Sequence, residues 1–403
     1  MQNNLEDLLR KYQKEAWIML NEDHSDPIFE KYISSSLSTY TIGIVSLKGT
    51  YYLINQLDAK NTLKLKNDLT HIFIYTTIEE LKEGLEKILG ELNFPKTLSL
   101  SYSTMGDKNT DILSHGRYLW LTKMIEECYH KYHKKVGYDS AEELIYDIAS
   151  QKSPKEIARL KLLASISSRI LENVFEEMTI GMTEIEIVSL VQKVSQDVMK
   201  LYIGSHKIVS FDMAWEDCPI VLTGRNLAKG GHSLPSRKKL GRGDTIYFDF
   251  GLKVIFEDGM TLYTDIQRMG YALREKENKP PKKVLQVFQT LVEAIECGIE
   301  EMRPGIKGYE IDELVRGKIL KKGYPDYPHA TGHPVGNEVH DIGTIISTKN
   351  GKRARMPLIE NAVYTLEPRI NIPNGGSIEE MILVTKYGGE PLCQTQKKLF
   401  LVR

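Results

Sequence analysis

A chain of 403 residues is longer than one ordinary hydrophobic core requires, so two domains are expected. Its 53 Lys and Arg nearly balance 54 Asp and Glu, leaving a net charge of −1; this balance gives no electrostatic case for nucleic acid or an anionic membrane as a partner. Cys128, Cys218, Cys297 and Cys393 have no C-x-x-C spacing and read as reduced thiols. The start at Met1 shows no basic and apolar leader, and no apolar run approaches the ~18 residues of a membrane span, so a cytoplasmic protein is expected.

Residues 1–150 read as an α/β unit. Ala16–Leu20 is a candidate buried strand, Thr41–Val45 and Tyr51–Ile54 flank Lys48-Gly49 as a hairpin, and Ile72–Tyr75 is a further strand. From Ile78 to Leu92, Leu81, Leu85 and Leu89 fall at helical spacing. His115, His130 and His133 lie in a charged helical stretch and read as solvated or packed side chains rather than ligands. No catalytic cluster is evident in this unit.

A second unit, 151–403, opens at Ser153-Pro154-Lys155-Glu156, a capping box with proline at the first helical position. Its helix is expected to run to about Met178, and Thr183 to Glu186 is a second capping box. Glu176–Ile187 then returns as Glu300–Ile311 with six of twelve residues identical at an offset of 124. A domain of two similar halves follows, α+β in class, with a site at their junction able to draw ligands from both.

The acids and histidines of this unit are suggestive. Asp249 ends the apolar run Thr245–Phe248, and Asp265 follows 16 residues later, with Glu257-Asp258-Gly259 between them as a hairpin turn. That turn is expected to bring Asp249 and Asp265 roughly opposite one another on one face, where two carboxylates repel unless a cation lies between. Of ten histidines in the chain, His329, His333 and His340 share one segment, whose Gly332, Pro334 and Gly336 argue for a loop entering a strand rather than a helix. Glu367 ends Val363–Leu366, and Glu379 stands at the head of the apolar run Met381–Val384. Acids inside apolar strands are costly unless paired or metal-bound, so a divalent metal site is expected.

The order D-F-G at Asp249, D-I-x-R at Asp265, the histidine segment, E-P at Glu367 and I-E-E at Ile378, with Gly224-Arg225-Asn226 and Gly231-His232-Ser233 upstream, closely resembles the pita-bread metallopeptidases. The α/β unit in front resembles that of the branch containing Xaa-Pro dipeptidases (prolidases), Xaa-Pro aminopeptidases and creatinase. The resemblance implies a pita-bread catalytic domain with an internal pseudo-twofold repeat. It implies two divalent ions (Mn, Co, Zn or Fe, with Mn favoured), held by Asp249, His333 and Glu367 and bridged by Asp265 and Glu379. In this reading Glu367 passes the proton of the attacking water to the leaving amine. His232 and His340 hold the substrate carbonyl or its oxyanion, and His329 supports the substrate site. Arg353 stands where prolidases carry an Arg that grips a dipeptide carboxylate. An ordinary solvated basic loop formed with Lys352 and Arg355 is the equally open alternative for Arg353 at this point. A homodimer is implied by the family.

This chain also departs from the pattern. The Asp249–Asp265 loop is longer than usual, Gln267 replaces the common Thr of D-I-T-R, and Arg369 replaces the Gly after E-P. Ser377 replaces the Arg before I-E-D, and Glu380 replaces its Asp. The expected activity is hydrolysis of Xaa-Pro dipeptides, or of the N-terminal Xaa-Pro bond of short peptides. A metal-dependent lyase or other small-molecule hydrolase on the same scaffold is the alternative, and the intact ligand set argues against an inactive binding protein.

Overall fold

The structure, a computed structural model, describes residues 2–32, 37–64, 70–230, 233–349 and 351–403. The chain forms two compact units, Met1–Ala149 and Ser150–Arg403.

The first unit runs α1 (Gln2–Lys11), β1 (Ala16–Asn21), α2 (Pro27–Tyr32), β2 (Thr41–Ser46), β3 (Gly49–Asn55), β4 (Thr70–Tyr75), α3 (Ile78–Glu91), β5 (Thr97–Leu100), α4 (His115–Lys131), β6 (Gly137–Ser140) and α5 (Glu142–Ser150). Among the described residues its strands form a six-stranded sheet of order β4-β3-β2-β1-β5-β6. The β1–β2 and β2–β3 pairs are antiparallel and the others parallel. Helix α3 starts at a full Thr77–Glu80 capping box and buries Leu81, Leu85, Ile88 and Leu89, the periodic stripe expected from the sequence. His115, His130 and His133 are exposed on or just after α4.

In the second unit, α6 (Pro154–Glu177) and α7 (Glu184–Met199) are both opened by complete capping boxes, at Ser153–Glu156 and Thr183–Glu186. They are followed by β7 (Ile208–Met213), β8 (Ile220–Thr223), β9 (Thr245–Phe250), β10 (Leu252–Phe256), β11 (Thr261–Tyr263) and β12 (Ile266–Ala272). The second helix pair, α8 (Lys282–Glu301) and α9 (Gly308–Lys321), keeps the repeat offset: α8 ends 124 residues after α6, and α9 starts 124 residues after α7. The remaining strands are β13 (Val363–Leu366), β14 (Arg369–Ile370), β15 (Gly376–Ser377), β16 (Glu380–Thr385), β17 (Gly388–Pro391) and β18 (Phe400–Val402).

Each helix pair covers its own apolar core. One core joins Leu160, Leu171 and Val191 of α6 and α7 to Phe248 and Phe250 of β9 and Met381 of β16. The other joins Leu291, Ile295, Ile311 and Val315 of α8 and α9 to Met269 of β12, Leu366 of β13 and Ile382 of β16. Neighbours Met381 and Ile382 thus serve opposite cores, as strand alternation dictates. The sheets β18-β12-β9-β8 and β13-β16-β17 meet where Gln267 and Glu379 form an antiparallel bridge. The candidate acids are carried here, between the two halves.

Candidate metal centre

The hairpin between Asp249 and Asp265 is two-tiered. Strands β10 and β11 pair across 257–260, where Gly259 takes φ of 80° and its N–H donates to Phe256 O at 2.9 Å. Asp258 at the tip accepts from Arg159 on α6 at 2.9 Å. Below Gly251 the chain changes sheets, because β10 pairs with β7 while β9 pairs with β12. The placement is diagonal within the expected face: Asp249 faces Gln267, and Asp265 lies two residues back from it. The reason is that Gly251 and Thr264 interrupt the strands, and the Thr264 N–H donates to Leu252 O at 2.9 Å.

The histidine segment runs extended beside β13. Val335 N–H donates to Val363 O at 3.0 Å, Thr365 N–H to His333 O at 2.8 Å and Glu367 N–H to Thr331 O at 2.8 Å. His333 and Glu367 are therefore neighbours through backbone pairing. The His333 ring points inward with Nδ1 3.1 Å from the Pro334 carbonyl oxygen. A proton on Nδ1 satisfies that oxygen and leaves the Nε2 lone pair toward the acids. Nε2 lies 3.6 Å from Asp265 Oδ2, 3.7 Å from Glu367 Oε1 and 4.0 Å from Glu379 Oε1. Ligand atoms of Asp265, His333 and Glu379 all fall within 4.8 Å of one another, and all three residues are buried.

Such crowding has an electrostatic signature. Burial, then repulsion from Asp265 and Glu367, holds the Asp249 carboxyl well above the usual range, with the Tyr247 hydroxyl opposing at 3.0 Å. Burial, then Asp265, Glu367 and Asp249, does the same to Glu379. Burial pushes Glu367 up to about 7, against the favourable charge of His333. Burial would lower the His333 imidazole, but Asp265 and Glu367 outweigh it and raise it. Asp265 Oδ1 and both Glu379 oxygens are buried without a hydrogen-bond partner. Orphaned acceptors beside an imidazole lone pair are a donor set for a divalent cation, and these residues fit one.

The other candidates are distributed around this cluster. His340 is exposed, with its ring 4.4 Å from the His333 ring at 61°. Its loop is shaped by Asp341, which accepts from Asn337 N–H and Ile342 N–H at 2.7 Å each and pairs with buried Lys152 at 3.2 Å. Arg353 donates from Nε to Gly343 O at 3.0 Å and from Nη2 to Asp341 O at 3.2 Å, so its guanidinium is braced against the loop bearing His340. His329 tilts against Tyr327, its ring 4.9 Å away, and its carbonyl accepts from Arg316 at 3.0 Å. Arg316 pairs with fully buried Asp312, which also takes the Thr331 hydroxyl and the Thr348 N–H, anchoring the approach to His333. His232 lies outside the described residues.

Several functional neighbours were not evident from sequence. Tyr247 stands two residues before Asp249 on one strand face, a period-two signal that could have found it. Buried Arg268 donates to Glu379 O at 2.9 Å and pairs with Glu380 at 3.2 Å, which explains why an acid follows Glu379. Arg369 and Ser377 are cross-strand partners, so the guanidinium stands across one rung from the position where the family pattern has it. It lies over the Tyr247 ring at 4.6 Å and donates to Leu227 O at 3.2 Å. Its charge lowers both Asp249 and Glu367, opposing burial.

Known proteins share the sequence pattern and fold of this chain. The chain is 30% identical over 301 residues to the Xaa-Pro dipeptidase of Pyrococcus horikoshii, covering 73% of this chain and 75% of that one. The fold is shared with an X-Pro aminopeptidase from Thermotoga maritima, at TM-score 0.63 and 22% identity over 98% of this chain and 100% of that one. It is shared also with a Xaa-Pro dipeptidase from Bacillus anthracis, at TM-score 0.64 and 22% identity over 100% and 99%. The second unit has the pita-bread fold. Residues 158–386, which carry all the acids and the histidine gathered above, match metallopeptidase family M24, and the chain belongs to that family.

Proposed function

We propose that this metallopeptidase hydrolyses Xaa-Pro dipeptides or the N-terminal Xaa-Pro bond of short peptides, with two divalent ions held by Asp249, Asp265, His333, Glu367 and Glu379. The observation that carries the reading is the convergence of His333 Nε2 on three acids at 3.6–4.0 Å, with buried carboxylate oxygens left unpaired. Bound there, the cations would polarise a scissile carbonyl and lower the pKa of an attacking water.

The chain's own residues divide the remaining work. Glu367 takes the proton of the attacking water and passes it to the leaving amine, a transfer that needs a carboxylate within hydrogen-bond reach of both. Its position directly after β13 and before Pro368 fixes its backbone while leaving the side chain part-exposed. His340, exposed and with its ring beside that of His333, donates to a substrate carbonyl or its oxyanion in this reading, and His232 is assigned the same task. His329 supports the substrate site through its anchored loop. Asp249, diagonal to Asp265, receives the free substrate amine. Arg353 favours dipeptides by meeting their terminal carboxylate.

The test is a cleavage panel with the Mn- or Co-loaded protein against Ala-Pro, Xaa-Pro-Xaa and Xaa-Ala peptides. Cleavage confined to Xaa-Pro bonds is expected; metal loading without cleavage of any peptide sinks the reading in favour of a non-peptidase reaction. In the same panel Arg353→Ala should lose dipeptide cleavage selectively, and an unchanged dipeptide-to-tripeptide ratio removes its proposed role. The reading also carries manganese ahead of cobalt, zinc or iron, a homodimer and a cytoplasmic setting. Metal analysis of protein from its own cells, light scattering and cell fractionation check these three.

A further inference from the structure

One polar side chain stands at the middle of the cluster without being a ligand in any of the assignments above. Gln267 is the cross-strand partner of Asp249. Its main chain is bonded to Glu379 in both directions, at 3.3 and 3.1 Å. Its Nε2 donates to Glu367 Oε2 at 3.1 Å. Three of the candidate ligands therefore meet one residue, which is 3% exposed.

The chemistry of a carboxamide explains what this contact does. Once deprotonated, as a cation's ligand has to be, Glu367 has no proton to give, so the amide presents its N–H₂ to it and turns its oxygen away. An N–H donor bonded to a charged acceptor forms a stronger bond than a neutral pair, and it restricts the terminal torsion of Glu367. With Oε2 held, Oε1 is the oxygen presented to His333 Nε2, at 3.7 Å. A threonine, the residue common at this position in the resembling family, ends two atoms short of the Gln amide and cannot make this reach from the same strand. Gln267 also leaves its own Oε1 buried and unpartnered. Burying an amide with an unpaired oxygen costs free energy, so a residue kept only for packing would be apolar.

We infer that Gln267 is a positioning residue that holds Glu367 in a single-oxygen presentation to the cation site. Its effect on turnover rests on the peptidase reading above; its effect on cation binding does not. Gln267→Met keeps the length and volume and removes the donor. Mn²⁺ titration calorimetry of the whole chain should show the dissociation constant rising about tenfold, the scale of losing one hydrogen bond to a charged group. On Ala-Pro, kcat should fall about tenfold with KM within about twofold, since a misplaced proton carrier is felt mainly in the transition state. Thermal unfolding of the chelated protein should be unchanged or slightly raised, because the orphaned oxygen is gone. Gln267→Thr, which cannot reach Glu367, should match the Met variant and decides the matter if that variant fails to fold. Mn²⁺ binding within twofold of the parent in the folded variants overturns the inference. A parent that binds Mn²⁺ and cleaves no peptide, with the Met variant still weakened in binding, defeats the substrate reading and leaves the role of Gln267 supported.

Discussion

At the scale of single residues, the site shows how a buried charge is balanced when a cation's usual place in the sequence is vacated. Ser377 is fully buried and its hydroxyl donates to Pro368 O at 2.8 Å, so it has become part of the β14–β15 turn's hydrogen bonding. Arg369, across the same rung, supplies the positive charge, with Nε on Asn371 Oδ1 at 2.7 Å and Nη2 on Leu227 O. Its stacking on Tyr247 links it to Asp249 through the Tyr247 hydroxyl. Arg369→Ser should therefore weaken divalent-cation binding about tenfold and lower stability by about 2–3 kcal/mol, since a buried group is lost and carbonyls are left unpaired. Adding Ser377→Arg to that variant moves the guanidinium across the rung and should restore more than half of the cation affinity. Calorimetric Mn²⁺ titration of the single and double variants reads this directly, and a double variant no better than the single one would show that the two positions are not interchangeable.

At the scale of elements, the centre depends on β12 and β16 being locked together, and Arg268 is the bolt. Its Nη1 donates to Gln267 O at 3.0 Å and Glu379 O at 2.9 Å, and its Nη2 reaches Glu380 at 3.2 Å in surroundings that exclude water. Removing one member of a buried ion pair leaves an uncompensated charge, so Arg268→Met should cost about 3–5 kcal/mol in denaturant unfolding. Arg268→Met with Glu380→Met should recover much of that loss, and an equal loss in both variants would mean that packing rather than charge is at stake. These elements also mark what was legible in the chain. The capping boxes at Ser153 and Thr183 are local signals and declare α6 and α7 outright. α9 is capped by Lys307 rather than by a Ser or Thr, and was legible only through its repeat. The candidate acids stand out because each lies in or directly beside an apolar strand. The facing of Asp249 with Gln267 was not legible, since Gly251 moves the chain between sheets and only pairing with β7 and β12 fixes the register. The Arg268–Glu380 and Arg316–Asp312 pairs were hidden for a related reason. The first is joined only by folding, and the second has the i,i+4 spacing of an ordinary solvated pair yet is buried by the loop it anchors.

At the scale of the whole molecule, stability and cation binding must oppose one another in their pH dependence. Two apolar cores, one for each helix pair, bury the strands that carry Asp249, Glu367 and Glu379. Burial is the first cause that raises all three carboxyls, Glu367 to about 7 from 4.5 and the other two well above their ordinary range. A group whose folded pKa is raised binds more protons in the folded state, so its contribution is complete below the unfolded value and is lost as pH rises through the folded value. His333, also raised, acts in the same direction. The metal-free protein should thus lose stability between about pH 4.5 and 7 and beyond, by on the order of 3 kcal/mol from Glu367 alone. Depressed acids such as Asp258, held down by Arg159 and Lys155, lose their contribution only at lower pH and do not offset this slope. A divalent cation held as proposed would require the same carboxylates deprotonated, so its binding should strengthen over the window in which the free protein weakens. Thermal unfolding from pH 5 to 8 should show the chelated protein's midpoint falling by several degrees, while saturating Mn²⁺ flattens or reverses the slope. Parallel slopes with and without Mn²⁺ would mean that these carboxyls are not what the cation displaces protons from, and the assignment of Asp249, Glu367 and Glu379 as ligands would fail with them.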